Sequence, residues 1–152
     1  PSAQTLGLGM NLRAFSFSAT DTPSEEWLHA VDAGLDQHNF AVAPLTEVRQ
    51  LAAFATGATG QVAGGAVGRT WGKCCELLQL WVASEHRSQG VGSHLMLEFE
   101  ARARTRGCSI FYLTTLSFQA PEFYRKHGYN VLAEITGYPK GIVKYLMHKA
   151  EA

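Results

Sequence analysis

Charge is scarce in this chain: Asp, Glu, Lys and Arg make up 17% of its 152 residues, against about 25% in an average globular protein. Its 13 basic and 13 acidic groups cancel. That balance excludes a protein built to grip duplex nucleic acid, which needs a basic face to displace counterions from phosphates, but it leaves room for one small anionic ligand. With 46% hydrophobic residues the chain also does not read as disordered. Its surface must be covered by Ser, Thr, Gln and Gly, or partly hidden in a homodimer. No run approaches the roughly 18 apolar residues of a membrane helix, and Pro1 to Met10 lacks the charged region and apolar block of a secretory leader, so no membrane partner and a cytoplasmic setting are expected. Cysteine is rare too. Cys74 and Cys75 are adjacent and Cys108 is alone, an odd count that suits a reducing compartment better than a disulfide framework. The six histidines lack the short paired spacings of a zinc site, so no metal is expected.

What is present fits a single domain over residues 1–152. Leu12 to Phe17 alternates like a first strand. Asp21 to Glu26 then offers a capping residue, an early proline and acidic residues for a first helical turn. Trp27, Ala30, Val31 and Leu35 give that helix an apolar stripe, with an end expected near His38. Strands follow at Val48–Ala55 and Val62–Gly68, joined through Thr56–Gly60, and Cys75–Val82 reads as a central strand covered on both faces. Gly90–Arg106 is the clearest helix: Val91, Leu95, Phe99 and Ala103 recur every four residues, and Glu98/Arg102 and Glu100/Arg104 are acid-before-base pairs. Ser109–Leu116 is a buried strand, Pro121–His127 a short helix, and Tyr129–Ile135 and Ile142–Lys149 two closing strands turned at Tyr138–Gly141. The order describes an α/β (α+β) fold, a mixed sheet with helices on its faces.

One segment carries chemistry. Arg87-Ser88-Gln89-Gly90-Val91-Gly92-Ser93 places two glycines between a buried strand and a helix start. Free backbone N–H groups and the positive end of the helix dipole make such a place an anion site, and Arg87 can add a charge-assisted hydrogen bond. The same pair of glycines also fits an ordinary tight strand-to-helix turn. The Gly-x-x-x-x-Gly-Lys-Ser/Thr phosphate loop is absent, as is an early Gly-x-Gly-x-x-Gly.

Here the sequence resembles the GCN5-related N-acetyltransferase (GNAT) superfamily. The Arg/Gln-x-x-Gly-x-Gly/Ala signature is met by Arg87, Gly90 and Gly92. A second, Ala-x-x-Phe-Tyr-x-x-x-Gly-Tyr/Phe, is met by Ala120, Phe123, Tyr124, Gly128 and Tyr129. The resemblance covers about Leu12 to Lys149, weakest before Ala43. It implies the GNAT fold, with a mostly antiparallel sheet of six to seven strands and helices on both faces, and acetyl-CoA as co-substrate. The pyrophosphate would lie on the backbone of Gln89 to Ser93, with Ser88 beside it, and the pantetheine arm would pair like a strand with Leu80, Trp81 and Val82. Ser117 stands where the family often has a cofactor-contacting Asn. Tyr124 takes the position of the general acid, and the Val82 N–H that of an oxyanion donor. Glu76, six residues before Val82, stands where histone-type members carry a carboxylate base; an apolar strand would raise its pKa for that work, although a solvated strand-end glutamate fits equally. Gln79, expected on the opposite strand face from Glu76, reads as packing.

Other residues carry weaker readings. His86 and His94 flank the loop and read as solvated, Cys74 and Cys75 as structural thiols, and Phe118 and Trp71 as core aromatics with a possible place in an acceptor pocket. The implied activity is transfer of acetyl to a primary amine, most simply of a small molecule, by direct attack in a ternary complex. The alternatives are a protein lysine or N-terminal acetyltransferase and an acyl-CoA-binding sensor without turnover. Residues 1–82 carry a net charge of −3 and residues 83–152 of +3, a split that suits a cationic acceptor and an anionic cofactor.

Overall fold

The computed structural model describes residues 14–152. They fall into two units divided between Ala43 and Pro44. The first holds one helix, α1 (Glu25–Val42), whose Ser24 side chain accepts from the Trp27 N–H and whose first turn carries Glu25 and Glu26. The helix outlasts its expected end near His38 because nothing stops it until Ala43, which is extended as the residue before a proline prefers to be. Of the strand expected at 12–17, Leu12 and Arg13 lie outside the described residues. Ala14 to Phe17 are not in a strand.

The second unit is built on a six-stranded sheet. In chain order it runs β1 (Arg49–Thr56), β2 (Val62–Trp71), β3 (Cys74–Val82), α2 (Val91–Thr105), β4 (Ile110–Leu116), α3 (Pro121–Lys126), β5 (Asn130–Ile135) and β6 (Lys144–Ala150). The spatial order is β1-β2-β3-β4-β6-β5, with every pair antiparallel except β3–β4. This is the mixed, mostly antiparallel sheet expected from the resemblance, and the element limits agree with the sequence reading to within three residues.

Helix α2 buries Leu95, Met96, Phe99 and Ala103 against β1, β2 and β3. They join Leu51, Ala66, Cys75, Leu77, Phe111, Leu113, Tyr124, Tyr129 and Met147 in one core. Glu100 sits within that core at 3% exposure. It is satisfied from three sides, by Lys149 Nζ at 2.6 Å, Arg104 Nη2 at 2.9 Å and the Tyr129 hydroxyl at 3.0 Å, as a buried carboxylate requires. Gly107, with φ +88, ends the helix in the left-handed conformation that glycine adopts without cost.

Two irregularities in β3 shape the site. Val67 faces Gln79 but Gly68 faces Leu77, so Leu78 is an extra residue, a β-bulge. The bulge resets the alternation of side chains: Cys75, Leu77, Leu80 and Val82 share the α2 face, whereas Glu76 and Gln79 share the other. The opposite-face placement expected of Gln79 and Glu76 is thereby corrected, because strict period-two counting fails across an inserted residue. The second irregularity is that β3 and β4 pair only from Cys74/Ile110 to Leu77/Leu113. Beyond that point the strands have no register, and β4 continues with β6 alone, to Leu116/Lys144.

Candidate active site

The gap between the diverging strands opens into a cleft of about 630 Å³. One wall is the diverging part of β3, with Leu78, Leu80 and Val82; another is the end of β4 and its loop, with Thr114, Thr115 and Gln119; Ala120, Phe123, Tyr124 and Lys126 of the α3 region close it. The segment His86 to Ser93 forms the remaining end. The charged side chains that line the cleft are Arg87 and Lys126, with no acid among them, so its field favours an anion.

That end of the cleft is a cradle of backbone N–H groups. Ser88 and Gly90 both have left-handed backbones, φ +60 and +83, and Gly90 is the residue from which α2 starts. Left-handed residues alternating with ordinary ones turn successive N–H groups toward one side, and the helix start adds donors without intrahelical partners and the positive end of its dipole. Gly92 is required by neither its conformation nor its packing against the protein: an added methyl would stand 3.5 Å from the Phe123 ring, an ordinary contact. Arg87 donates through Nε to the Val82 carbonyl at 3.0 Å, which fixes the guanidinium at the mouth of the gap.

The β3 backbone is exposed to the cleft in a regular way. The Ala83 N–H donates to Ala63 of β2 at 2.8 Å, so the Val82 N–H, one residue earlier in an extended chain, points the other way, into the gap. Tyr124 presents its ring in the cleft while being 8% exposed. It packs edge-on to Phe123 and Tyr129, and burial raises its phenol above the ordinary value, so the group enters any chemistry as a neutral donor. His127, whose Nε2 lies 3.1 Å from Ser93 Oγ, is held below its usual pKa, first by burial and also by the Lys149 charge.

Of the residues singled out from sequence, Leu80, Val82, Arg87, Ser88, Gly90, Val91, Gly92, Ser93 and Tyr124 line this cleft. Trp81 faces the other side of the sheet and lines a neighbouring cavity with Phe54 and Gln79. Gln89 turns away, its amide donating to the Glu85 carbonyl. Ser117 does not line the cleft; its hydroxyl oxygen accepts from the Val143 N–H at 3.0 Å. Glu76 lies in another cavity with Arg69, Trp71, Cys74 and Tyr112, where Arg69 Nη2 is 2.8 Å from its carboxylate. The structure therefore does not bring Glu76 to the cleft that holds Tyr124. Sequence reasoning missed Leu78, Thr114, Thr115, Gln119 and Lys126. They are brought there by the bulge and by the divergence of β3 from β4, neither of which leaves a residue pattern.

The sequence profile of the Acetyltransferase (GNAT) family matches residues 10–129. The chain belongs to that family. GNAT proteins use acetyl-CoA, and the fold expected from the resemblance, a six-stranded, mostly antiparallel sheet with helices, is the one described above. The chain is 41% identical over 110 residues to the blasticidin-S acetyltransferase of Streptomyces morookaense, covering 70% of this chain and 81% of that one. It is 27% identical over 120 residues to the acetyltransferase Atu2258 of Agrobacterium fabrum, covering 79% and 88%. Among solved structures, an acetyltransferase from Bacillus cereus superposes with a TM-score of 0.74 at 26% identity, over 88% of this chain and 98% of that one. This GNAT chain is thus an acetyltransferase. Among the described residues no helix is long and apolar enough to cross a membrane.

Proposed function

We propose that this acetyltransferase moves the acetyl group of acetyl-CoA to a primary amine of a small molecule by direct attack within a ternary complex. The observation that carries the proposal is the gap between β3 and β4, lined at one end by the Arg87–Ser93 cradle and along its length by the free edge of β3 and the Tyr124 ring. The cradle suits the pyrophosphate, and the open edge of β3 at Leu80 offers main-chain groups to the pantetheine arm as a missing neighbour strand would, with the Val82 N–H left for the reacting thioester. Similarity to a protein named a blasticidin-S acetyltransferase, over 70% of this chain, supports a small-molecule acceptor.

In this reading the amine nitrogen attacks the thioester carbonyl carbon, and the C–S bond breaks as the new C–N bond is kept. The Val82 N–H donates to the oxygen while it carries negative charge. Tyr124 gives its hydroxyl proton to the departing thiolate, a role suited to a buried neutral phenol; the amine proton leaves to water, and water returns a proton to the phenolate, which restores the phenol. Glu76 takes no part here, because its carboxylate is held by Arg69 in a different cavity. The test is release of free thiol from acetyl-CoA across a panel of amines that includes blasticidin S, polyamines, amino acids and a lysine peptide. Acceptor-dependent release with a small amine supports the proposal. Release only with the peptide, or CoA binding with no release for any amine, overturns it.

A further inference from the structure

We infer that Gln119, in the loop from β4 to α3, is a positioning residue that donates from its side-chain amide to a carbonyl oxygen of the acyl-pantetheine arm. The inference rests on the reading of the cleft as an acyl-CoA site, and adds to it a residue that the two family signatures do not contain.

The argument begins with the orientation of the amide. Gln119 Oε1 accepts from the Leu116 backbone N–H at 2.8 Å and from the Thr115 hydroxyl at 3.2 Å. A backbone N–H can only donate, so the oxygen must face it and the amide cannot be turned over. Both oxygen sites are thereby filled and Nε2, with its two hydrogens, is directed away from the strand end. Among the described residues no acceptor takes it. Thr115 is itself buried, at 4% exposure, so the orienting contact is anchored in the core and the donor is held in place before any ligand arrives.

Position supplies the second part. Gln119 is exposed and lines the main cleft, as do Leu78 of β3 and Thr114 of β4. Two further cavities reach the same side chain: one of about 480 Å³ bounded by Phe54 and Trp81, and one of about 420 Å³ bounded by Tyr138 and Lys144. Among the described residues Gln119 alone lines all three. An amine entering by either cavity meets the cleft at this amide. The chemistry that a fixed N–H donor recognises there is a carbonyl oxygen, offered by the pantetheine amides or by the thioester.

The decisive variant is Gln119→Glu, which keeps an acceptor for the Leu116 N–H and the Thr115 hydroxyl but replaces the donor. Gln119→Met, of similar length, loses both. Isothermal titration with CoA and with acetyl-CoA, steady-state rates and melting temperatures are measured for all three proteins. The expected result is that both variants bind acetyl-CoA about tenfold more weakly than wild type, while only Gln119→Met melts earlier. An equal loss for CoA places the contact on a pantetheine amide; a loss confined to acetyl-CoA, with a lower kcat, places it on the thioester. Wild-type affinity and kcat in Gln119→Glu, with any defect confined to Gln119→Met, would assign Gln119 to the loop alone and overturn the inference. Wild-type protein that binds neither ligand would instead overturn the acyl-CoA reading itself.

Discussion

Gly68 and Glu76 lie so close across the β2–β3 pairing that a methyl group on Gly68 would stand 2.0 Å from the Glu76 carbonyl oxygen and 2.8 Å from the Phe99 ring. Backbone fills the place of a side chain here because the bulge at Leu78 pushes β3 toward its neighbour. Gly68→Ala must therefore force the strands apart or displace Phe99. The expected cost is about 3 kcal/mol, read as a lower urea midpoint. Gly92→Ala, whose methyl would meet Phe123 at 3.5 Å, is expected to unfold at the wild-type midpoint.

Tyr124→Phe removes the proposed proton donor and keeps the ring that packs between Phe123 and Tyr129. A kcat lower by roughly a hundredfold, with CoA affinity unchanged in titration, is the expected result. Burial raises the phenol above its ordinary value of 10.0, so its donating form persists through neutral and alkaline pH. Wild-type kcat accordingly shows no falling limb from this group below pH 10, and a limb at pH 8 abolished by Tyr124→Phe would contradict the assignment.

Glu76→Gln removes a half-buried ion pair with Arg69, a contact of small value when one partner is largely in solvent. The expected stability loss is under about 1 kcal/mol, and the pH–rate profile keeps its wild-type shape. A rate lost at neutral pH and recovered in alkali would return Glu76 to the role of base. A second readout is available in Tyr112, whose phenol is raised first by burial and further by the Glu76 charge; in the variant its alkaline titration moves down.

Burial pushes the Cys75 thiol up to about 12 and raises that of Cys108, whereas Cys74 is only half buried. Thiolate is the reacting form, so an aromatic disulfide reagent at pH 8 should label one thiol, Cys74, quickly in the folded protein. All three react after denaturation. Rapid labelling of Cys75 or Cys108 in the native state would show that the α2 face of the sheet opens readily.

Glu100→Ala empties a buried site that holds three donors together: Lys149, Arg104 and the Tyr129 hydroxyl. Leaving the Lys149 charge without its nearest partner should cost about 3–5 kcal/mol. Calorimetry would show a melting temperature lower by roughly 10 °C or more in a domain of this size.

The parts legible in the sequence were those written in local chemistry. The α2 helix announced itself through the spacing of Leu95, Phe99 and Ala103, the cradle through Gly90 and Gly92, and Tyr124 through its place beside Phe123. The bulge at Leu78 was not legible, because an inserted residue changes no residue type; its one trace is Gly68 opposite, a glycine in a strand. That single event misplaced Gln79 relative to Glu76. Ser117 and Gln119 show the same limit on a smaller scale. Both are polar and two residues apart, and only the tertiary course of the chain at Val143 decides that Ser117 is consumed by the backbone while Gln119 faces the cleft.

Among the described residues, four register pairs, Cys74/Ile110 to Leu77/Leu113, and the Lys73 carbonyl, which accepts from the Ser109 and Ile110 N–H groups just before them, make up the backbone pairing between the β1–β3 half of the sheet and the β4–β6–β5 half. Mechanically the sheet is two panels joined along a short seam, stitched at one end and open at the other. An extended molecule laid along the opening, in the proposed reading the acyl-pantetheine arm, lengthens the seam with each main-chain hydrogen bond it makes. In that reading the substrate acts as a fastener as well as a reactant.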